Sequence, residues 1–199
     1  MTTTLNATTS NGLVVTPDNS GTIELQSNGT TELTISSAGA YGQLISGTAQ
    51  ASTSVTSIDF TGIPSWVKRI TVMFQGVSTN GSSNYLIRLG TSSGFTTSGY
   101  LGTSTVISSG VGSANMSSGF LLNQASQGAG CVFHGMVTIA NINLNNWVAM
   151  GYCGQSDDAR GWTVGGSVGL SATLDRVRIT TVNGTDTFDA GSINILYEG

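Results

Sequence analysis

Hydrophobic and polar residues alternate one by one along much of the chain, which is the period of a β-strand with one buried face. In the run from Val67 to Val77, Ile70, Val72 and Phe74 fall on one face and mainly polar residues fall on the other. This pattern predicts a sheet with one face in a core and one face in water.

Further runs of strand length follow, each bounded by Gly, Asn, Asp or Pro. They are residues 56–61, 85–90, 131–140, 146–153, 161–172, 174–182 and 193–198. About eight strands over residues 49–199 predict an all-β fold, with a β-sandwich head of jelly-roll type. Trp66 and Trp147 stand beside such runs and are expected in its core. Residues 91–130 are dominated by Gly and Ser, which predicts long loops.

Residues 1–48 form a separate segment in this interpretation, with a thin apolar stripe that one copy of so short a segment cannot bury. The stripe consists of Val14, Ile23, Leu25, Leu33 and Ile35. Either it lies on the larger domain, or copies from neighbouring chains wrap around one another. We expect the second arrangement, an anchor that forms a homotrimer and is joined to the head by a small, polar connector within residues 36–54.

Composition narrows the class of partner. Charged residues make up only 8% of the chain and the net charge is −4, with six scattered basic residues, so a nucleic-acid partner is not expected. The 28 glycines, with many Ser, Thr and Asn, disfavour helices. The first residues lack the basic and apolar regions of a signal peptide, and no run of apolar residues is long enough to cross a membrane, so neither secretion nor membrane insertion is expected.

Two cysteines flank a predicted hairpin. A turn near Ile142 would place Cys131 opposite Cys153 and Val137 opposite Trp147. A disulfide would fit that register, but without a secretion signal we expect two small apolar thiols packed in a sheet.

Candidates for catalysis are few. His134 is the single histidine and is expected to be a hydrogen-bonded structural residue of the hairpin. Asp157 with Asp158, and Asp186 with Asp189, resemble turn formers that bind their own backbone. We therefore predict no catalytic residue, no metal ligand and no cofactor, and we do not expect an enzyme.

Trp162 lies where a predicted loop meets a strand, with Arg160 and Asp158 close in sequence. An exposed aromatic ring beside polar groups can stack on a sugar. Trp162 and Tyr100 are therefore the candidate stacking residues for a host glycan, with Arg160 and Asp158 as polar neighbours; alternatively, all four contact another subunit. Loops 91–130 and 155–163 are the expected contact regions.

Two stretches of the chain resemble a module of tailed-bacteriophage fibre and virion surface proteins. One contains GIPSWVKRITV, residues 62–72, and the other contains FDAGSINILYE, residues 188–198. The resemblance covers residues 55–199, with both ends in the same order as in the family, and residues 12–36 are similar to the stretch that precedes such a module. It implies a virion surface protein that is assembled in host cytoplasm and whose last strand closes the edge of a sheet. No catalytic residues are carried over from the family.

These observations lead us to expect a short trimeric fibre or decoration protein, and the modest length favours a capsid head fibre. The alternatives are a short tail fibre that binds the host and a monomeric carbohydrate-binding module. The expected partners are other copies of the chain, other capsid or tail proteins and, for an adhesin, a host surface glycan.

Overall fold

A computed structural model describes the strands at residues 23–27 and 30–35, and residues 44–124 and 128–199 in full. Every regular element in these ranges is a strand. The strands are β1 (Ile23–Ser27), β2 (Thr30–Ile35), β3 (Leu44–Ser46), β4 (Gln50–Ala51), β5 (Ser57–Thr61), β6 (Arg69–Thr79), β7 (Tyr85–Thr91), β8 (Gly94–Phe95), β9 (Leu101–Ile107), β10 (Val111–Asn115), β11 (Phe120–Leu121), β12 (Phe133–Asn143), β13 (Asn146–Gln155), β14 (Arg160–Gly169), β15 (Arg176–Thr181) and β16 (Phe188–Glu198). Over the described ranges, no helix is long and apolar enough to span a membrane.

The chain divides into two compact units, residues 1–43 and 44–199. In the first unit, β1 and β2 form an antiparallel hairpin that sets Ile23 opposite Ile35 and Leu25 opposite Leu33. Four members of the predicted stripe are thus cross-strand partners. Val14, the fifth, lies outside the described residues.

The second unit, here called the head, contains two antiparallel sheets. The large sheet has the order β10-β9-β14-β13-β12-β6-β16-β3, with β4 also on β16, and the small sheet has the order β11-β7-β15-β5, with β8 on β7. This arrangement confirms the prediction of an all-β fold with the character of a β-sandwich. The large sheet begins at Leu44, because β3 pairs with β16 within the segment predicted to be a connector.

Strand pairing in the head is nested along the chain. β12 pairs with β13, β9 with β14, β7 with β15 and β6 with β16, so each pair encloses the one before it in sequence. The last strand, β16, lies between β6 and the short strands β3 and β4. The expectation that the last strand closes an edge is therefore wrong, and β3 takes the edge position.

The core lies between the two sheets. Ile70, Val72 and Phe74 are all buried, as their alternation predicts. Tyr85 packs edge-on against Phe133 with ring centroids 4.7 Å apart. Trp147 is also buried, which confirms its predicted placement, whereas Trp66 is only partly buried and packs against the margin of the core.

The predicted register of the β12–β13 hairpin is wrong. Val137 pairs with Gly151 and Cys153 pairs with Gly135, so the turn falls at Leu144 and not at Ile142. Asn141 explains the shift, because its side-chain amide donates to the carbonyl oxygens of Leu144 and Asn146 at 3.0 and 3.2 Å. These local side-chain bonds stabilise a turn with Leu144 at φ 43°, a conformation that a leucine alone does not favour.

The two regions predicted to be long loops contain strands. Within residues 91–130 the chain forms β8, β9, β10 and β11, and within residues 155–163 only residues 156–159 separate β13 from β14. Thr103, Thr105 and Ser113 lie at paired positions of β9 and β10, so Ser and Thr occupy strands here instead of loops. The expected contact loops therefore contain strands of both sheets, joined by shorter connections.

Candidate interaction surfaces

Trp162 and Tyr100 are core residues, and the prediction that they stack on a sugar is wrong. Each is 1% exposed. The Trp162 ring packs against Phe133 with centroids 4.9 Å apart, and the Tyr100 hydroxyl accepts a hydrogen bond from the Leu89 N–H at 2.8 Å. Burial raises the pKa of Tyr100 to about 12. A sugar ring cannot reach either face of these aromatic groups without opening the sandwich.

Their proposed polar neighbours do lie at the surface. Arg160 and Asp158 form an exposed ion pair with Nε and Oδ2 2.7 Å apart. The adjacent Asp157 accepts hydrogen bonds from the Val132 N–H and the Gln155 amide at 2.8 and 2.9 Å. Partial burial acts to raise the pKa of Asp157, but these bonds outweigh it and lower the pKa. A turn-forming role was predicted for Asp157 and Asp158. The bonds to Asp157 fasten the turn between β13 and β14 to the start of β12.

The other two aspartates, Asp186 and Asp189, also accept hydrogen bonds from neighbouring segments of the chain. The Asp186 carboxylate accepts from the Ser83 N–H at 2.8 Å and from the Asn183 amide at 2.6 Å. Asp189 accepts from the Ser78 hydroxyl. These bonds tie the loop before β16, and the start of β16 itself, to the end of β6 and the connection after it. Within the described ranges no three His, Cys, Asp or Glu side chains come together as a metal site.

His134 contacts Ser156, but the geometry opposes nucleophilic catalysis. His134 Nδ1 accepts a hydrogen bond from the Gly76 N–H at 3.3 Å, which assigns the ring proton to Nε2. Nε2 then donates to Ser156 Oγ at 3.2 Å. A general base must accept the serine proton, so this tautomer stabilises the loop and leaves the hydroxyl unactivated.

Both thiols are free and buried. Burial raises the pKa of Cys153 to about 12, and burial together with the nearby Asp157 carboxylate raises the pKa of Cys131. A thiol is nucleophilic as its thiolate, so neither cysteine is set up to react at neutral pH.

The outer face of the small sheet is charged. Arg178 lies between Asp59 and Arg88 in one cross-strand row, and its guanidinium stacks 4.1 Å from the centre of the Phe95 ring. Arg176 lies on the same face and forms an ion pair with Asp175, with atoms 2.6 Å apart. Three of the six basic residues of the chain therefore lie on this one surface, here called the charged face.

The middle of the outer face of the large sheet has the opposite character, although the next row on the same face holds the Arg69–Glu198 ion pair. Two adjacent cross-strand rows run over seven strands from β16 to β10. Their residues are Asn194, Met73, Met136, Tyr152, Thr163, Thr105 and Ser113 in one row, and Leu196, Thr71, Thr138, Met150, Gly165, Thr103 and Asn115 in the other. None of the fourteen is charged and none is buried. We call these two rows the uncharged face.

Large apolar side chains concentrate at the centre of the uncharged face. Met136, Met150 and Tyr152 are 56%, 71% and 55% exposed. Tyr152 extends across the neighbouring strand to Gly161, where an added side chain would overlap the phenol. Met136 lies on a different strand from Met150 and Tyr152, and the strand order shows that the three adjoin.

A groove of about 540 Å³ separates the edges of the two sheets where β3 and β4 approach β5. The Gln50 side chain crosses this groove and donates to the backbone oxygen of Asp59 at 2.8 Å. This bond occupies one of the carbonyl groups that the edge strand β5 would otherwise offer to another chain, so it protects the edge.

Comparison of the chain with protein-family models and with curated protein sequences gives no match.

Proposed function

We propose that this chain is a structural virion protein of a tailed bacteriophage, a short trimeric fibre or decoration that projects from the particle surface. The resemblance of residues 62–72 and 188–198 to phage fibre modules supports the class of protein. The capsid is the favoured site of attachment, because an anchor of about forty residues needs only a shallow socket on the particle.

The observation that carries self-association is the register of the β1–β2 hairpin. Ile23 faces Ile35 and Leu25 faces Leu33 across a sheet of only two strands. An isolated hairpin of this kind is marginally stable in water and has too little apolar area to form its own core. Three copies around one axis would give these residues a shared core, as in β-structured fibre shafts.

A jelly-roll-like head fits this proposal. The four nested strand pairs are those of a long hairpin that has rolled up on itself. The eight nested strands are divided unevenly between the sheets, with six in the large sheet and two in the small sheet.

Two further candidate functions remain. A short tail fibre would use the same fold to bind the host. A monomeric carbohydrate-binding module is favoured by Tyr152, whose exposed ring on a flat sheet face is of the kind that stacks on sugars.

Two measurements test the proposal. Light scattering of the purified full chain should give three times its mass of 20.3 kDa, and a monomer at micromolar concentration would contradict the trimer. An electron-microscopy map of the particle should place copies on capsid capsomers; density confined to the tail would support the tail fibre, and absence from the particle would reject the virion role.

A further inference from the structure

We propose that the uncharged face of each head packs against the corresponding faces of the other two copies, around the axis of the trimer. This inference rests on the trimer in the proposed function, and it names the surface through which the heads meet.

The first argument is the contrast between the two outer faces of the sandwich. The charged face carries Arg88, Arg176 and Arg178, and the last two pair with Asp175 and Asp59, a composition suited to water. The uncharged face has no charge in fourteen neighbouring positions, although Met136, Met150 and Tyr152 expose more than half of their surface at its centre. Centres of protein interfaces are depleted of charge and enriched in Met and Tyr. The contrast identifies the uncharged face as the covered one.

The second argument is area. Seven strands spaced about 4.8 Å apart make a surface roughly 30 Å wide, and the two rows cover about four residues along each strand, a length near 14 Å. The resulting area of roughly 400 Å² is a projection, and the accessible area of its side chains is larger. The projected area is about half of the ~800 Å² that each partner buries in a standard interface. The face can therefore supply the centre of a protein interface.

The third argument is the length of chain that would join head and anchor. β2 ends at Ile35 and β3 begins at Leu44, and nine Cα steps span at most about 32 Å. If three hairpins associate, each head is tethered to the same trimer by this short stretch of chain. Short tethers give effective concentrations in the millimolar range, so even a weak contact between heads would be occupied. Another head is therefore the partner that this face meets at the highest effective concentration.

The shape of the face suits close approach. Gly165 lies beside Met150 in one row, and the position where its side chain would stand has no atom within 4 Å. Thr103, Thr138 and Thr163 are short and neutral, and they can form hydrogen bonds with another copy. Small residues around three large apolar groups allow one sheet face to receive the Met side chains of another.

Methionine oxidation of the full-length protein tests the contact directly. Met136 and Met150 are exposed in a single head, whereas Met116 is 6% exposed and provides an internal buried reference. If the heads pack through this face, dilute hydrogen peroxide should oxidise Met136 and Met150 at rates within about twofold of Met116. Peptide mass spectrometry measures all three rates, and the same protein in urea gives the unprotected rate. Oxidation of Met136 and Met150 at the unprotected rate in a particle of trimer mass would overturn the inference and leave the trimer intact.

A pair of variants gives an independent readout. Met136→Asp with Met150→Asp should separate the heads, seen as a larger radius of gyration or as loss of the trimer, because three copies of each charge would meet near one axis. Val182→Asp changes a residue that is 49% exposed outside the uncharged face, and it should leave the radius unchanged. Circular dichroism verifies that each variant is folded. An unchanged trimer in the double variant would overturn the inference. Binding of a glycan or a virion protein to the uncharged face while the heads remain apart would also overturn it. A monomeric wild-type protein would reject the trimer as well.

Discussion

Arg178 joins two neighbours on the charged face at once. Its guanidinium donates to both carboxylate oxygens of Asp59 at 2.7 and 2.6 Å while it stacks 4.1 Å from the Phe95 ring centre. Asp59 belongs to β5 and Phe95 to β8, on opposite sides of β15, so one side chain ties three strands together.

We expect Arg178→Lys to lower the free energy of unfolding by about 1 kcal/mol, since an ammonium group loses the paired geometry and most of the ring contact. The side chains of Arg178 and Asp59 are 32% and 31% exposed, so solvent limits the effect. Urea denaturation measures it, with Arg160→Lys in the exposed ion pair as the matched control. Equal stability of Arg178→Lys and wild type would show that the stacked arrangement contributes nothing.

A second prediction compares two glycines of the large sheet. A Cβ at Gly151 would lie 2.5 Å from the Met136 carbonyl oxygen and 2.8 Å from the Val137 Cα, whereas a Cβ at Gly165 meets nothing within 4 Å. Gly151→Ala must therefore displace the backbone of β12 and should cost on the order of 2 kcal/mol. Gly165→Ala should be neutral or slightly stabilising, because alanine restricts the unfolded chain. Thermal unfolding of both variants should show a lower midpoint for Gly151→Ala alone, and equal midpoints would contradict the close approach of β12 and β13.

Alkaline pH should unfold the head. Burial raises the pKa of Cys153 from 9.0 to about 12, and burial raises the pKa values of Tyr85 and Tyr100 from 10.0 to about 12. Raised folded-state values mean that this stability is complete below pH 9 and falls as pH rises, because the unfolded chain ionises first. At pH 11 the three groups together should cost on the order of 5 kcal/mol relative to pH 8.

Chemical denaturation at each pH from 8 to 11 measures that loss. Cys153→Ala removes the group that begins to act at the lowest pH, so it should flatten the curve most strongly between pH 9 and 10. A variant that keeps the wild-type slope in that interval would exclude Cys153 as its source.

Local patterns in the sequence predicted the positions of most strands, but they did not predict which strands pair with one another. Ile70, Val72 and Phe74 alternate strictly, and all three point into the core as predicted. Trp162 and Val164 alternate in the same way within the predicted strand 161–172, and both are buried. The prediction of an exposed Trp162 failed because the adjoining predicted loop and its charged residues do not determine which face of the strand the ring occupies.

The pairing of distant strands depends on contacts that one sequence does not reveal. β6 and β16 are separated by more than a hundred residues, and their pairing brings Met73 opposite Asn194 and so completes the uncharged face. The hairpin register failed for a different, local reason, because the Asn141 amide binds the turn three and five residues further along and no propensity favours a leucine with positive φ. Sequence therefore predicted the polarity of individual positions, and the strand order was needed to assemble them into a surface.

The proposed assembly in host cytoplasm predicts two free thiols. Cys131 and Cys153 are both buried, and Cys153 pairs with Gly135 in the hairpin instead of with Cys131. Thiol titration under denaturing, non-reducing conditions should find two reactive groups per chain. One disulfide per chain in freshly purified particles would contradict both the reduced state and the register.

The final prediction separates a sugar-binding surface from a structural one, and it uses two aromatic residues of adjacent strands. Trp162 is 1% exposed and lies against Phe133, so Trp162→Ala should cost about 3 to 5 kcal/mol of stability through the cavity it leaves. Tyr152 is 55% exposed, so Tyr152→Ala should leave the fold of the head nearly unchanged.

If the protein is an adhesin that stacks sugars on this face, glycan-array binding should disappear in Tyr152→Ala while circular dichroism stays as in wild type. If the uncharged face is closed between heads, wild type and Tyr152→Ala should both fail to bind, and the variant should lose trimer stability on dilution. Glycan binding that survives in Tyr152→Ala would place the ligand elsewhere on the head, with the Arg160 and Asp158 turn as the next surface to mutate.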